Sequence, residues 1–354
     1  MKLPIRVAVL SFAHYHANFW TEVFKTSELT RLVGVWDDDI ARGQAAASTH
    51  ASVFHADLQT LLRDCDAVAV CCETARHADL IEAAAQAGCA ILCEKPLAAS
   101  LGECARISAA LAKSGTRFMQ SFPKRFDPIN HELKRLLDAQ TFGRVGLVRV
   151  RHGHYYGVDK AFAESWHADP QRSGGGALLD EGVHGADFLR WMFGEPESVR
   201  ALSSSAMLGL DVEDLAIAIY RYANGMVAEL TSSWSFVAAQ DSIEIYGDKG
   251  SAVLGGVDLA SKDFCSAGWL RTYSGGERRW QQSDLVPRFK SGNFHQQNAL
   301  VFLDSLANST PPPVTLEDGR RAVAMILAAY ESAKFGREVA IEYEMRPDHA
   351  KNSC

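Results

Sequence analysis

Short β-branched apolar runs alternate with amphipathic stretches along the first third of the chain. Residues 6–10 (RVAVL), 31–36 (RLVGVW), 67–72, 90–93 and 117–121 have the pattern of buried strands, and Val53-Phe54 that of a short further strand. Between them, 15–25, 40–49, 58–63, 77–87 and 101–114 have helical spacing, with Gly88 and Gly115 placed to close the last two. Strands and helices alternating at this length predict parallel βαβ units.

The pattern changes after residues 122–128. A helix is expected over 129–138 and a long alternating strand over 145–156. Gly174-Gly175-Gly176 then lead into a helix that continues to about residue 193, and three glycines let a loop pass close to a ligand or another backbone. Alternating strands at 215–222 and 226–234 flank Asn224-Gly225, a type I′ hairpin signal, and a second hairpin turns at Gly247-Asp248-Lys249-Gly250. These predict a large, mostly antiparallel open sheet, whose second face needs a cover, so a homodimer or homotetramer is expected. A last helix is headed by Asp318 and closed at Gly336, and 346–354 is read as a frayed polar end. The expected division is 1–123, an α/β unit, and 124–345, an α+β unit.

Composition narrows the class. The 354 residues suit two domains, and 47% hydrophobic with 22% charged residues is the balance of a globular protein. A net charge of -7 without basic runs argues against nucleic acid or an anionic membrane as partner. The eight cysteines include no CxxC spacing, which favours reduced thiols and a cytoplasmic location.

Three stretches carry candidate chemistry. The first turn of a βαβ domain cradles a phosphate, usually with Gly-x-Gly-x-x-Gly. Here it is Ser11-Phe12-Ala13-His14-Tyr15-His16, without glycine, so small side chains and the helix N-terminus would have to receive the pyrophosphate. Asp37, ending the second strand, can accept from both ribose hydroxyls, and no arginine follows before Arg42 to meet a 2′-phosphate. That favours NAD over NADP. Any of Asp37, Asp38 and Asp39 could instead cap the next helix.

Glu94-Lys95-Pro96 stands where the 90–93 strand ends, in the position of ligand-binding loops in open parallel sheets. Taken alone it reads first as a solvated ion pair at a loop entrance. Asp180 and His184 lie i and i+4 on the helix after the triple glycine, so the carboxylate can fix the imidazole tautomer for general base work.

Glu94-Lys95-Pro96, Arg125-Phe126-x-Pro128 and Gly174-Gly175-Gly176-x-Leu178-x-Asp180-x3-His184 together resemble the glucose–fructose oxidoreductase/inositol dehydrogenase (Gfo/Idh/MocA) family. Ile245-Tyr246-Gly247-x2-Gly250 and Ala329-Tyr330-x-Ser332-Ala333-x2-Gly336 are similar to its later segments. The resemblance implies an N-terminal Rossmann domain, an NAD(P)-dependent dehydrogenase, and a sugar, cyclitol or related polyol as substrate. It implies Lys95, Asp180 and His184 as catalytic residues, with Glu94 on the nicotinamide side. Ser11, Phe12, Ala13, His14, His16, Asp37, Cys72, His77, Glu94 and Lys95 are the expected cofactor residues. Arg125, His152, His154, Tyr156, Trp166 and His167 are expected to meet substrate with Asp180 and His184. No metal is expected on this reading. Two others remain open: a metal-dependent hydrolase using His14-x-His16 or His152-x-His154, and a non-catalytic sugar or nucleotide sensor.

Overall fold

The structure, a computed structural model, describes residues 3–237, 241–255 and 268–344. The end expected to fray lies outside the described residues. The chain forms two compact units, and the first contains residues 3–123.

Its strands are β1 (Ile5–Leu10), β2 (Thr30–Trp36), β3 (Ala67–Val70), β4 (Ala90–Cys93) and β5 (Phe118–Gln120). They pair in parallel in the order β2-β1-β3-β4-β5. Helices α1 (His16–Thr26), α2 (Ile40–Thr49), α3 (Leu58–Arg63), α4 (His77–Gln86) and α5 (Leu101–Ser114) alternate with them. Asp39, Asp57 and Ser100 accept the capping N–H at the starts of α2, α3 and α5, which explains where those helices begin. Gly115, at φ +66°, ends α5 in the left-handed conformation. The expected strand at Val53-Phe54 is reduced to one bridge, Val35 with Phe54, because the Asp57 cap starts the next helix at once. Strand order reverses direction between β1 and β3, so the carboxyl ends of those strands mark the ligand crevice of this unit.

The second unit opens with α6 (Pro128–Asp138) and β6 (Val145–Gly153), then short helices α7 (Lys160–Ala163) and α8 (Pro170–Ser173). The strand expected to reach residue 156 stops at Gly153, where a side chain would strike the Ser233 carbonyl. A π-helical turn, Leu178–Gly182, precedes α9 (Val183–Phe193). The remaining strands are β7 (Ser198–Ser204), β8 (Leu215–Arg221), β9 (Val227–Ser233), β10 (Asp241–Gly247), β11 (Gly250–Gly255), β12 (Leu270–Ser274) and β13 (Arg279–Gln282). After the short α10 (Arg288–Ser291) come α11 (Gln296–Ala307), α12 (Leu316–Phe335) and β14 (Val339–Ala340). The nine-stranded sheet runs β13-β12-β11-β10-β6-β9-β8-β7-β14, antiparallel except for β6 beside β9.

Two expectations change here, and a third is decided between its alternatives. The second domain is not continuous: His295–Arg320 belongs to the first unit. The Trp20 indole donates to the His295 carbonyl at 3.1 Å, and Val314 accepts the Gln120 N–H at 3.1 Å, which tie that segment in place. The β8–β9 hairpin is not type I′, since only Gly225 has positive φ (+84°) and its N–H bonds the Tyr222 carbonyl. A type I turn followed by a left-handed glycine gives that pattern. The triple glycine, finally, is pressed against protein. A Cβ on Gly176 would lie 2.0 Å from the Glu213 carbonyl oxygen, and one on Gly175 would lie 2.4 Å from the Tyr330 hydroxyl.

Glu213 explains that packing. Its carboxylate accepts the N–H groups of Gly176 (3.0 Å) and Leu178 (2.9 Å) and the Tyr330 hydroxyl (2.7 Å). Burial pushes its pKa up against the lowering effect of those donors. Gly176→Ala is therefore expected to destabilise the protein by about 1–3 kcal/mol, the range for forced overpacking. A lower urea midpoint with an unchanged slope is the signature to look for.

Candidate active site

β4 delivers Glu94 and Lys95 into the first unit, where they are 0% and 3% exposed. A solvated ion pair is thus excluded. Glu94 Oε1 accepts the Lys95 N–H at 3.0 Å, and Oε2 lies 3.1 Å from His16 Nδ1. The Gln120 amide donates to the carbonyls of Cys93 (3.2 Å) and Glu94 (3.0 Å), fixing the strand end. His77 is buried with its ring nitrogens 2.8 Å from the Pro96 carbonyl and 3.2 Å from that of Cys72. Burial holds its pKa below the usual imidazole value, despite those carbonyls. His77 and Cys72, expected beside the cofactor, thus brace the Lys95 loop against the end of β3.

The glycine-free turn is held by its own polar groups. Ser11 takes φ +70°, the left-handed geometry that the first glycine ordinarily supplies. Phe12 N–H donates to Asp37 Oδ2 (2.8 Å), Ala13 N–H to Ser11 Oγ (3.2 Å) and His14 N–H to the Cys71 carbonyl (3.0 Å). The His16 ring packs on His14 (4.2 Å between centroids) and His295 (3.8 Å). Ligating atoms of His14, His16 and Glu94 lie within 4.8 Å of one another. At the start of α1 the His16 N–H donates to His14 Nδ1 at 3.3 Å, and the Ala17 N–H to the His14 carbonyl at 3.1 Å. The left-handed Ser11, the small Ala13 and the positive end of α1 fit the pyrophosphate of a dinucleotide.

Asp37 departs from expectation. It is buried and already accepts from Phe12 N–H, Asp39 N–H (3.0 Å), and Arg42 Nε (2.8 Å) and NH2 (2.7 Å). Arg42, the first arginine after Asp37, folds back one helical turn onto it. Asp39, not Asp37, is the helix cap. The Arg42 guanidinium also meets Asp38 (3.3 Å) and Glu73 (3.5 Å), and Asp38 pairs with Arg76. Burial alone would raise the Asp37 pKa, but Arg42 and the Phe12 and Asp39 N–H groups outweigh it and hold the carboxyl below its usual value. A ribose hydroxyl reaches this carboxylate only by displacing one of those donors.

In the second unit, the residues expected at the substrate gather around the π-helical turn. Asp180 Oδ2 accepts the Trp234 indole N–H at 3.0 Å. Glu181, which sequence spacing did not single out, has Oε2 3.1 Å from His152 Nε2 and Oε1 3.8 Å from His154 Nε2. The His152 and His184 rings meet edge to face at 5.0 Å, and His152, Glu181 and His184 have ligating atoms within 4.8 Å of one another. All three histidines are at most 6% exposed. Glu181 thus joins His184 and His152 as a further carboxylate of this group, beside the Asp180 that the i,i+4 spacing pointed to.

Tyr156 packs on His154 (4.8 Å), and its pKa is raised by burial and by the charges of Tyr155 and Glu181. His167 stacks between Trp166 (3.9 Å) and Phe162 (4.9 Å). Arg125 is gripped by Asp187, with Nε 2.9 Å and NH2 2.6 Å from its oxygens. That bidentate pair makes Arg125 an anchor for α9 rather than an open substrate contact. Trp234 and Glu181 are the residues missed. Glu181 adjoins a flagged carboxylate, but nothing local marks Trp234, which is 54 residues from its partner.

The Asp37–Arg42 pair carries a pH signature. A depressed folded-state pKa contributes stability above about pH 3.9 that is lost as pH falls through the folded value. Arg42→Ala should cost about 2 kcal/mol at pH 7, between a surface and a buried pair. The gap between variant and parent should narrow below about pH 4 as Asp37 becomes protonated. Urea unfolding at pH 7 and pH 3.5 would test this; a gap constant with pH would refute the assignment.

Comparison with known proteins agrees with this fold. Residues 5–122 match the oxidoreductase family with an NAD-binding Rossmann fold, and residues 130–253 match the GFO/IDH/MocA C-terminal domain. Inositol 2-dehydrogenase 1 of Saccharopolyspora erythraea is 29% identical over 334 residues, covering 90% of each chain. Inositol 2-dehydrogenase of Rhizobium meliloti is 30% identical over 228 residues, 62% of this chain and 67% of its own. The structure of levoglucosan dehydrogenase in complex with NADH and L-sorbose superposes with a TM-score of 0.83 at 20% identity, covering 96% of this chain and 99% of the other. No helix among the described residues is long and apolar enough to cross a membrane. With both of its domain signatures present in order and the fold they imply, the chain belongs to the Gfo/Idh/MocA family of NAD-binding oxidoreductases.

Proposed function

We propose that the protein interconverts a hydroxyl and a carbonyl on a sugar, cyclitol or related polyol, with His184 as the general acid/base. The observation that carries this is the His184 imidazole, buried in a group with His152 and the Glu181 carboxylate. The relatives named inositol 2-dehydrogenases support the substrate class. NAD, when bound, supplies the hydride acceptor or donor.

The remaining steps are those of side chains. In oxidation, His184 takes the hydroxyl proton as the C–H bond gives up its hydride, and the C–O bond becomes a carbonyl. Asp180, oriented by the Trp234 indole, stabilises the resulting imidazolium, and Glu181 adds negative charge through His152. Lys95, whose backbone is fixed by Glu94, polarises the reacting oxygen. His154, Tyr156, Trp166 and His167 shape the substrate side, and Ser11 to His16 receive the pyrophosphate. Among these, proton transfer by a positioned imidazole contributes about 10²–10⁴ in rate.

The Asp37 corner supports NAD over NADP. Asp37, Asp38 and Glu73 surround Arg42, and Arg76 is already engaged by Asp38. Both arginines are already neutralised by carboxylates, so an added 2′-phosphate would face like charge. The large sheet leaves Leu147, Leu202, Ile217, Ile219 and Tyr246 exposed, which supports a second copy of the chain as its cover.

Two experiments test the reading. His184→Ala should lower kcat at least about a hundredfold in polyol oxidation; activity with an unchanged pH profile would remove His184 from the mechanism. In titrations followed by nicotinamide fluorescence, NADH should bind at least about tenfold more tightly than NADPH, a difference of about 1.4 kcal/mol. Binding of neither would favour the sensor reading.

A further inference from the structure

The same carboxylate that faces His152 and His184 has the geometry of a metal ligand. We propose that His152, Glu181 and His184 form a binding site for one divalent transition-metal ion of the zinc class. His152 comes from the end of β6, Glu181 from the π-helical turn and His184 from the first turn of α9. Their ligating atoms lie within 4.8 Å of one another, and His152 Nε2 is 3.1 Å from Glu181 Oε2. Donor atoms around a tetrahedral zinc are about 3.3 Å apart, given bond lengths of about 2.0–2.2 Å. Only small side-chain movements separate the observed group from a closed ligand set.

The donor types select the ion. Two imidazoles and one carboxylate suit zinc, cobalt, nickel or iron(II), whereas magnesium and calcium take oxygen ligands. Glu181-x2-His184 is also the i,i+3 carboxylate–histidine spacing that helical carboxylate sites use to hold metals. His154 Nδ1 accepts the Tyr156 N–H at 3.1 Å, which in the neutral ring assigns the proton to Nε2, 3.8 Å from Glu181 Oε1. At 3.8 Å this is a neighbouring dipole rather than a hydrogen bond, and it lies on the side of the second carboxylate oxygen. Asp180, His154 and Glu181 form an adjoining group with ligating atoms within the same 4.8 Å.

Binding has a consequence for activity that rests on the His184 reading above. A metal on His184 takes the lone pair that would receive the substrate proton, so the ion acts as a reversible brake on hydride transfer. The site itself does not depend on that reading.

The test uses the full chain, stripped with a chelator and then titrated with zinc against a chromogenic chelator. One ion per chain is expected, and cobalt(II) in its place should show the intense visible bands of a low-symmetry, non-octahedral site. Glu181→Gln and His152→Asn should each weaken zinc at least about tenfold, with far-UV circular dichroism unchanged. Absence of stoichiometric metal, or equal affinity in both variants and the parent, overturns the site. Hydride transfer separates the two readings. A metal-free protein that oxidises polyols but binds no zinc overturns the site alone. A protein that binds zinc through these residues yet is inactive in every metal state overturns the dehydrogenase reading and keeps the site.

Discussion

A carboxylate with no exposure to water is costly unless it is met by donors, and Glu94 is such a group at the end of β4. One of its oxygens fixes the Lys95 backbone and the other faces His16 Nδ1. This single side chain thereby ties the first turn of the unit, after β1, to the loop after β4. It also accounts for the missing glycine. At the third glycine position a dinucleotide turn ordinarily needs a small residue for close packing of helix and strand. Here the position is His16, whose ring fills that space between His14 and His295 and faces the buried carboxylate. The turn has exchanged conformational freedom for an electrostatic link.

Much of the fold was legible because its causes are local. Four-residue apolar runs, aspartate or serine caps and left-handed glycines lie within a few residues of what they determine, and α2, α3, β4 and α5 begin and end where the spacing placed them. What was not legible depends on partners distant in sequence. The Glu213 carboxylate reaches Gly176 across 37 residues, so which of a ligand or another backbone the glycine run approaches is set by a distant partner. The inclusion of His295–Arg320 in the first unit depends on Trp20, 275 residues from its acceptor.

The site was legible in kind and less so in detail. Lys95 after a strand, Asp37 at the end of β2 and His184 on a helix were all marked by position. Their partners were not. The sequence marks Arg42 as the first arginine after Asp37, but not that one turn of α2 brings it to the carboxylate at 2.7 Å. Arg125 looked like a substrate contact because its motif ends a strand region, yet Asp187 holds it with two hydrogen bonds. In both cases a charged residue near the site satisfies another charge, as buried charges must.

The π-helical turn at Leu178–Gly182 is what makes the second unit's site unlike a simple Asp–His pair. In an α-helix, neighbouring residues diverge by about 100° around the axis, so Asp180 and Glu181 could not both serve one face. An i→i+5 turn holds nearly one more residue per turn and modestly narrows that divergence. β6 and β9 are adjacent and parallel, with His152 paired to Ser232, so an imidazole and the Trp234 indole emerge near each other at their ends. Asp180 takes the indole N–H and Glu181 faces the imidazole. Two consecutive carboxylates thus acquire different partners from the carboxyl ends of two central strands. Asp180 is held by an indole donor, while Glu181 lies among imidazole nitrogens.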